Sequence, residues 1–402
     1  MVFEHSPLHK TVRCFSVVAL LHVCTVNIAA PSTSVDNAAL LYYQATFVRP
    51  EAKDYRAFNH VLAGGDPNGQ VREYFGRRAT REAISLVEAA TQTPRCDWGI
   101  RSFQGDELSV PASVQLQRLT NLLDVYARIL AHDGRYRAAL EKCLMIRRFA
   151  NHMGSVTPNT HQSSKSFDTE ALVSIKSILD RMPADAETLV WLQSRLKEVP
   201  GTLWQPAATL TGFREHCVNW LLHEHPDIGV SWKKMILSST VDENVKKRIG
   251  NLTGDELFQR GCESYDVYLK SVLEIMDSDR PYAEKRAELR RMTADLRERG
   301  MQGDPVGILV DCMYNPTRVV VSYYESMVRH RANFDMTMVA IEIYLVKART
   351  GQLPTVLPPD LPKDPYTGKD FEYMIINDGF ELQYRTKGDI GETVRPFEFA
   401  VR

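Results

Sequence analysis

The segment REHCVNWLLHEHP, residues 214–226, gathers His216, Cys217, His223 and His225, side chains that ligate zinc when three or four of them converge. Such a centre would support a metal-dependent hydrolase by activating a water molecule. The spacing argues against it. His216 and His223 are seven apart, which puts them on one helix face two turns and about 11 Å from each other, too far for one ion on a straight helix. Helical zinc ligands usually stand four apart. The alternative is a set of surface and interface histidines near a helix end at Pro226.

Other stretches offer less. PRCDWGIRSFQGDELSVPA, residues 94–112, is a long connection of the kind that often carries function, and Asp97 and Trp98 could present a polar and an aromatic contact to a ligand or partner. The competing reading buries Trp98 and Phe103 as caps on the open end of a helix pair, because large aromatics are buried for their area. LAGGDPNGQ, residues 62–70, has three glycines but neither the preceding strand nor the Lys-Ser/Thr of a phosphate cradle, so it reads as a turn between helices. MGSVTPNTHQSSKSF, residues 153–167, reads as a polar, mobile connection. Neither a nucleophile elbow nor an H-E-x-x-H motif occurs, so the expectation is a chain with no catalytic residue, no cofactor and no metal.

The elements around these residues are helical from residue 36 onward. Val71, Phe75, Ala79, Ala83, Leu86 and Ala90 recur at threes and fours and predict one amphipathic helix over that span. Two helices meet at Asp133-Gly134, and Ala127, Gly134, Tyr136 and Ala139 there resemble the small-residue core of a tetratricopeptide helical hairpin. Only one such repeat is found, which predicts an irregular stack of antiparallel helical hairpins rather than a regular solenoid. Further helices are predicted over 168–181, 184–198, 206–225, 253–277 and 281–299, the fourth opened by a Thr253/Glu256 capping box. The last helix starts with Asn315 as cap and Pro316 in the first turn, and runs along Val320, Tyr324, Met327, Arg331, Phe334, Met338, Ile341 and Leu345, with Arg331 interrupting the seam.

After it, PKDPYTGKDFEYMIINDGFELQYR, residues 362–385, alternates as a β-hairpin. Phe371, Tyr373 and Ile375 share one face with Phe380, Leu382 and Tyr384, and Asn377-Asp378-Gly379 forms the turn. A lone hairpin is marginal in water, so it is expected to dock on the C-terminal end of the long helix through Ile343, Tyr344 and Val346, with RPFEFAVR adding a third strand. The fold class is mainly α with a small antiparallel C-terminal sheet. The organisation is a signal peptide over 1–30, a helical domain over 31–350 and a hairpin cap over 351–402.

Composition narrows the function classes. With 402 residues, 44% hydrophobic content and a formal net charge of -1, the chain can bury a sizeable core and carries no field that favours nucleic acid. Lys10 and Arg13 precede the apolar run FSVVALLHVCTVNIAA, residues 15–30, which ends in Ala29-Ala30 and is shorter than the ~20 residues of a membrane span. That layout predicts export, to the periplasm or cell envelope of a bacterium. Membrane contact is then expected only through an uncleaved leader. Cys96, Cys143, Cys217, Cys262 and Cys312 lie too far apart for a sequence-defined disulfide framework and read as buried thiols.

Two resemblances extend this reading. AIEIYLVKARTGQLPTVLPPDLPKDPYTGKDFEY, through Ala340, Tyr344, Gly351, Pro354, Asp364, Pro365 and Tyr373, resembles the helix-to-strand passage of type II secretion major pseudopilins. The chain departs from that family in lacking the Phe-Thr-Leu-Ile-Glu processing motif and in the reduced loop TKGDIGET. DNAALLYYQA at 36–45, CDWG at 96–99, DGRYRAALEKCL at 133–144 and the GQLP…LPKDPYTGK ending together resemble a family of uncharacterised exported helical proteins typical of planctomycete bacteria. These features imply an exported, non-catalytic helical scaffold with a protein partner. A pseudopilin-like envelope component and a metal-dependent hydrolase on His216, His223 and His225 are the alternatives.

Overall fold

Amphipathic spacing becomes thirteen helices and three strands among the described residues. The structure, a computed structural model, describes residues 36–52, 55–99, 113–154, 158–199, 227–239, 243–302, 304, 316–377, 379–385 and 397–400, with scattered positions from 207 to 218. Helices α1 (Ala38–Val48), α2 (Tyr55–Leu62), α3 (Gly69–Gly76), α4 (Arg78–Gln92), α5 (Ser113–His132) and α6 (Tyr136–Gly154) come first. Then follow α7 (Pro158–Leu179), α8 (Ala186–Glu198), α9 (Ile228–Ser239), α10 (Glu243–Gly250), α11 (Gly254–Asp277), α12 (Tyr282–Met301) and α13 (Pro316–Thr350). Strands β1 (Glu372–Ile376), β2 (Gly379–Gln383) and β3 (Phe397–Ala400) form one antiparallel sheet in the order β1-β2-β3.

Local rules hold at several joints. Thr253 and Glu256 form the expected capping box, with each side chain accepting the other residue's backbone N–H. Gly134, at φ +74, ends α5 in the left-handed conformation that favours glycine, and Ala127 and Ala139 beside it are fully buried where the two helices approach. Gly229 and Gly254 bring the starts of α9 and α11 into backbone contact, since a Cβ on Gly254 would lie 2.4 Å from the Gly229 carbonyl carbon.

Two expectations are corrected. The helix predicted over 71–90 is two helices, because Gly76 weakens the run and Arg77 turns extended, at ψ 141. The polar segment 153–167 is not a loop from Pro158 onward: Pro158 takes the first position of α7, and His161, Ser164 and Lys165 are buried in it.

The core has two large parts. One joins α1 to α7 around Tyr42, Val71, Leu119, Leu123 and Phe149. The other runs from α5 to the sheet through Leu144, Leu192, Val272, Ile341 and Phe380, with α13 as its axis. A smaller cluster around Ile249 and Leu257 joins α9, α10 and α11. Residues 332–345 of α13 are almost all shielded, since α7, α8 and the sheet pack on that stretch, whereas Arg331 points outward and pairs with Asp335 at 2.7 Å.

The hairpin forms in the expected register, with Ile375 opposite Phe380 and Tyr373 opposite Leu382, and β3 adds Phe399 opposite Phe380. Its docking differs in place. Tyr344 meets Phe380 at 5.4 Å, but Tyr384 also reaches Asn333, well inside the helix, and Phe399 sits under Lys176 of α7 at 5.2 Å. Along the β1 face, burial fades from Phe371 (1% exposed) through Tyr373 to Ile375 (51%), because the strand runs off the body. Asp364 sets the aim of this unit. Its carboxylate accepts the N–H of Tyr366 at 3.0 Å, the hydroxyl of Thr367 at 2.9 Å and the N–H of Arg385 at 3.1 Å, tying the turn before β1 to the end of β2.

Candidate functional site: an ionisable seam between three helices

The described residue types with the most chemistry converge where α6, α7 and α13 pack together. On α7, His161, Lys165, Asp168 and Thr169 follow the three-and-four spacing of one helix face. On α13, Tyr323, Ser326, Met327, His330 and Phe334 meet them, and α6 contributes Arg147.

Asp168 is the centre. Its side chain is fully buried; Oδ1 accepts from Arg147 Nε at 2.6 Å, and Oδ2 meets both Arg147 Nη2 at 3.4 Å and His330 Nε2 at 2.9 Å. Burial by itself would raise this carboxyl's pKa, but the Arg147 charge and the His330 contact outweigh it and hold the group down at about 2. Arg147 is 1% exposed and lays its guanidinium 4.8 Å over the Phe334 ring, while its Nη1 has no hydrogen-bond partner. One buried carboxylate thereby joins three helices.

A second pair lies one turn towards the start of α7. Lys165 Nζ is 2.6 Å from Ser326 Oγ and 5.3 Å from the Tyr323 ring. Burial, with help from the nearby Arg329 charge, lowers its pKa to about 8. His161 places Nε2 3.1 Å from Met327 Sδ and 3.4 Å from the Tyr323 hydroxyl, and burial takes its pKa down to about 4. An amine that sheds its proton near neutrality beside a serine hydroxyl is the arrangement of a base and a nucleophile. Here the amine is 4% exposed, and both groups hold one helix to another.

The residues singled out in the sequence lie elsewhere. Trp98 is buried, stacks on Tyr42 at 5.5 Å and donates from Nε1 to the His152 carbonyl at 2.9 Å. Asp97 exchanges two hydrogen bonds with Asn37 at 2.8 Å each, through its backbone N–H and carbonyl, and its carboxylate accepts the Gly99 N–H at 3.0 Å. CDWG thus fastens the start of α1 to the end of α6. His216, Cys217, His223, His225 and Phe103 lie outside the described residues, as do Cys312 and Asn315. Cys96, Cys143 and Cys262 are free thiols. Among the described residues no group of three His, Cys, Asp or Glu side chains is placed to hold a metal ion, and no helix is long and apolar enough to cross a membrane.

Sequence reasoning missed the seam. Its signal, His161 with Lys165 and Asp168 at four and three, falls partly in the segment read as a loop, and the partners are about 160 residues away. Set against known proteins, the chain matches no family model, no curated protein and no solved structure.

Proposed function

We propose that this chain is an exported, non-catalytic helical scaffold that binds a protein partner in the bacterial periplasm or envelope. In this reading the helices form an irregular stack of antiparallel hairpins, tetratricopeptide-like over α5 and α6, with the sheet as a cap. A single observation carries it: the shifted ionisable groups His161, Lys165 and Asp168 are used in joining α6, α7 and α13. Exposed apolar side chains such as Phe47 (87% exposed) and Leu40 (53%) on α1 supply contact area. The order of basic, apolar and small residues in the first thirty supports export.

The test combines N-terminal sequencing of native protein with co-purification of a stoichiometric partner that Phe47→Asp releases. A chain starting at Met1 in a cytosolic fraction overturns the export reading, and a partner-free protein overturns the scaffold. The pseudopilin-like alternative is favoured by the Asp364 turn, which delivers a strand from the end of a long helix. Recovery in filaments or the inner membrane with the leader retained would select it. A stoichiometric metal in the purified protein would instead select the hydrolase on His216, His223 and His225.

A further inference from the structure

Strand β1 stands at the edge of the three-stranded sheet and pairs on one side only, with β2. A two-residue turn makes Ile376 and Gly379 a hydrogen-bonded pair, so Glu372, Met374 and Ile376 bond to β2 while the N–H and C=O groups of Tyr373 and Ile375 point the other way. No backbone group among the described residues takes them up. The edge is also uncovered, since Met374 is 54% exposed and Ile375 51%. Neither proline nor charge blunts Tyr373 to Ile376. The strand is held in shape, because the Tyr373 hydroxyl donates to the Pro354 carbonyl at 2.8 Å and Tyr373 meets the Phe380 ring at 6.0 Å.

We propose that this edge takes up an extended basic peptide of a protein partner as a fourth strand. Charge selects the occupant. The hairpin from Phe371 to Tyr384 contains Glu372, Asp378 and Glu381 and no lysine or arginine, and Glu372 and Glu381 share one sheet face with Met374. At the start of the strand, Lys363 and Arg385 both bond to Asp370. A second copy of the chain would bring the same carboxylates against each other, which disfavours self-pairing. A segment alternating Lys or Arg with Val or Ile instead sets its cations beside Glu372 and its apolar side chains beside Tyr373 and Ile375, while its backbone completes the ladder. This specifies the partner of the scaffold reading and rests on that reading for the partner's existence.

The experiment titrates a labelled Lys-Val-Lys-Ile-Lys-Val-Lys peptide into the full chain by fluorescence anisotropy at physiological salt. Saturable binding is expected, with loss of binding when alternate backbone nitrogens of the peptide are methylated or when glutamate replaces its lysines. Ile375→Pro removes an outward N–H and no bond to β2, so it should melt with the parent and weaken binding about tenfold. Glu372→Lys, a surface change, should weaken it about fivefold. Absence of saturable binding, equal binding of the methylated peptide, or full affinity in Ile375→Pro overturns the proposal, as does a dimer of the free chain that Ile375→Pro dissolves. A native partner released by Phe47→Asp but not by Ile375→Pro would remove this edge and leave the scaffold standing, whereas peptide binding with no native partner would overturn the scaffold reading alone.

Discussion

The two halves of α13 are held by different physics. Its first half, Tyr323 to His330, faces α7 across amines, imidazoles and a carboxylate, while its second half, Asn333 to Leu345, faces the sheet across Phe380, Phe399, Leu382 and Tyr384. The first contact depends on charge state. The second meets the sheet through rings, and burial raises the hydroxyl pKa of Tyr344 and Tyr384 and keeps both neutral, while the one buried carboxyl described on that half, Asp335, pairs with Arg331 on its own helix. One helix thus carries a joint of ionisable groups and a joint of neutral rings, and variants in either half should separate them.

The largest effect is expected from truncation after Thr350. It strips Phe371, Phe380, Leu382, Tyr384 and Phe399 from the core, each contributing about 1.5 to 3 kcal/mol. The truncated chain should bind ANS and lose its cooperative melt. Unchanged melting would show that the sheet does not support the helices.

Next comes Arg147→Ala, which leaves Asp168 buried with only His330 beside it and should cost about 3 to 5 kcal/mol in chemical denaturation. Pairing Arg147→Met with Asp168→Leu should recover much of that loss, because the seam then needs no charge. Failure of the double variant would mean that the ion pair fixes the helix geometry as well as satisfying itself.

Acid should loosen the seam between α7 and α13. The folded His161 ring takes a proton only near 4, whereas in the unfolded chain it does so near 6.5, so the unfolded state binds more protons between these values. Stability therefore falls as pH drops through that window, by on the order of 3 kcal/mol at its lower end. Asp168 adds to the loss further down, as pH falls from its ordinary 3.8 towards 2. Lys165 acts at the other end: it sheds its proton near 8 when folded and near 10.5 when unfolded, so stability rises across that interval. His161→Gln should flatten the acid slope, and denaturation midpoints at pH 7 and 4.5 measure it. An unchanged slope would place the acid sensitivity elsewhere.

The smallest effect is Tyr384→Phe. Losing the hydroxyl's bond to the buried Asn333 should cost about 1 kcal/mol, with no change in pH dependence. A pH-dependent cost would break the contrast between the halves.

The same contrast marks how much of the molecule was legible in its sequence. Features set by near neighbours were readable: the Thr253/Glu256 cap, the Gly134 turn, Pro316 at the start of α13 and the hairpin register. The seam was not, because Lys165 looks like any exposed lysine until Ser326, 161 residues on, gives it a partner. His330 was hidden by its neighbour Arg331, whose position in the four-three pattern suggested an interruption, whereas Arg331 faces outward and His330 faces in. Trp98 was legible as buried by size alone, but not as the group that fastens α1 to α6.

The three-way junction at Asp168 also has a consequence in time. Arg147 lies 21 residues away and joins Asp168 as soon as α6 and α7 close on each other, a local event with little chain to order. The His330 side of the junction, where Thr169 meets His330 across 161 positions, waits for a long loop to close. The carboxylate is therefore expected to gain its partners in two stages, α6 with α7 first and α13 last. Substitutions at Arg147 should slow folding, and substitutions at His330 should mainly speed unfolding.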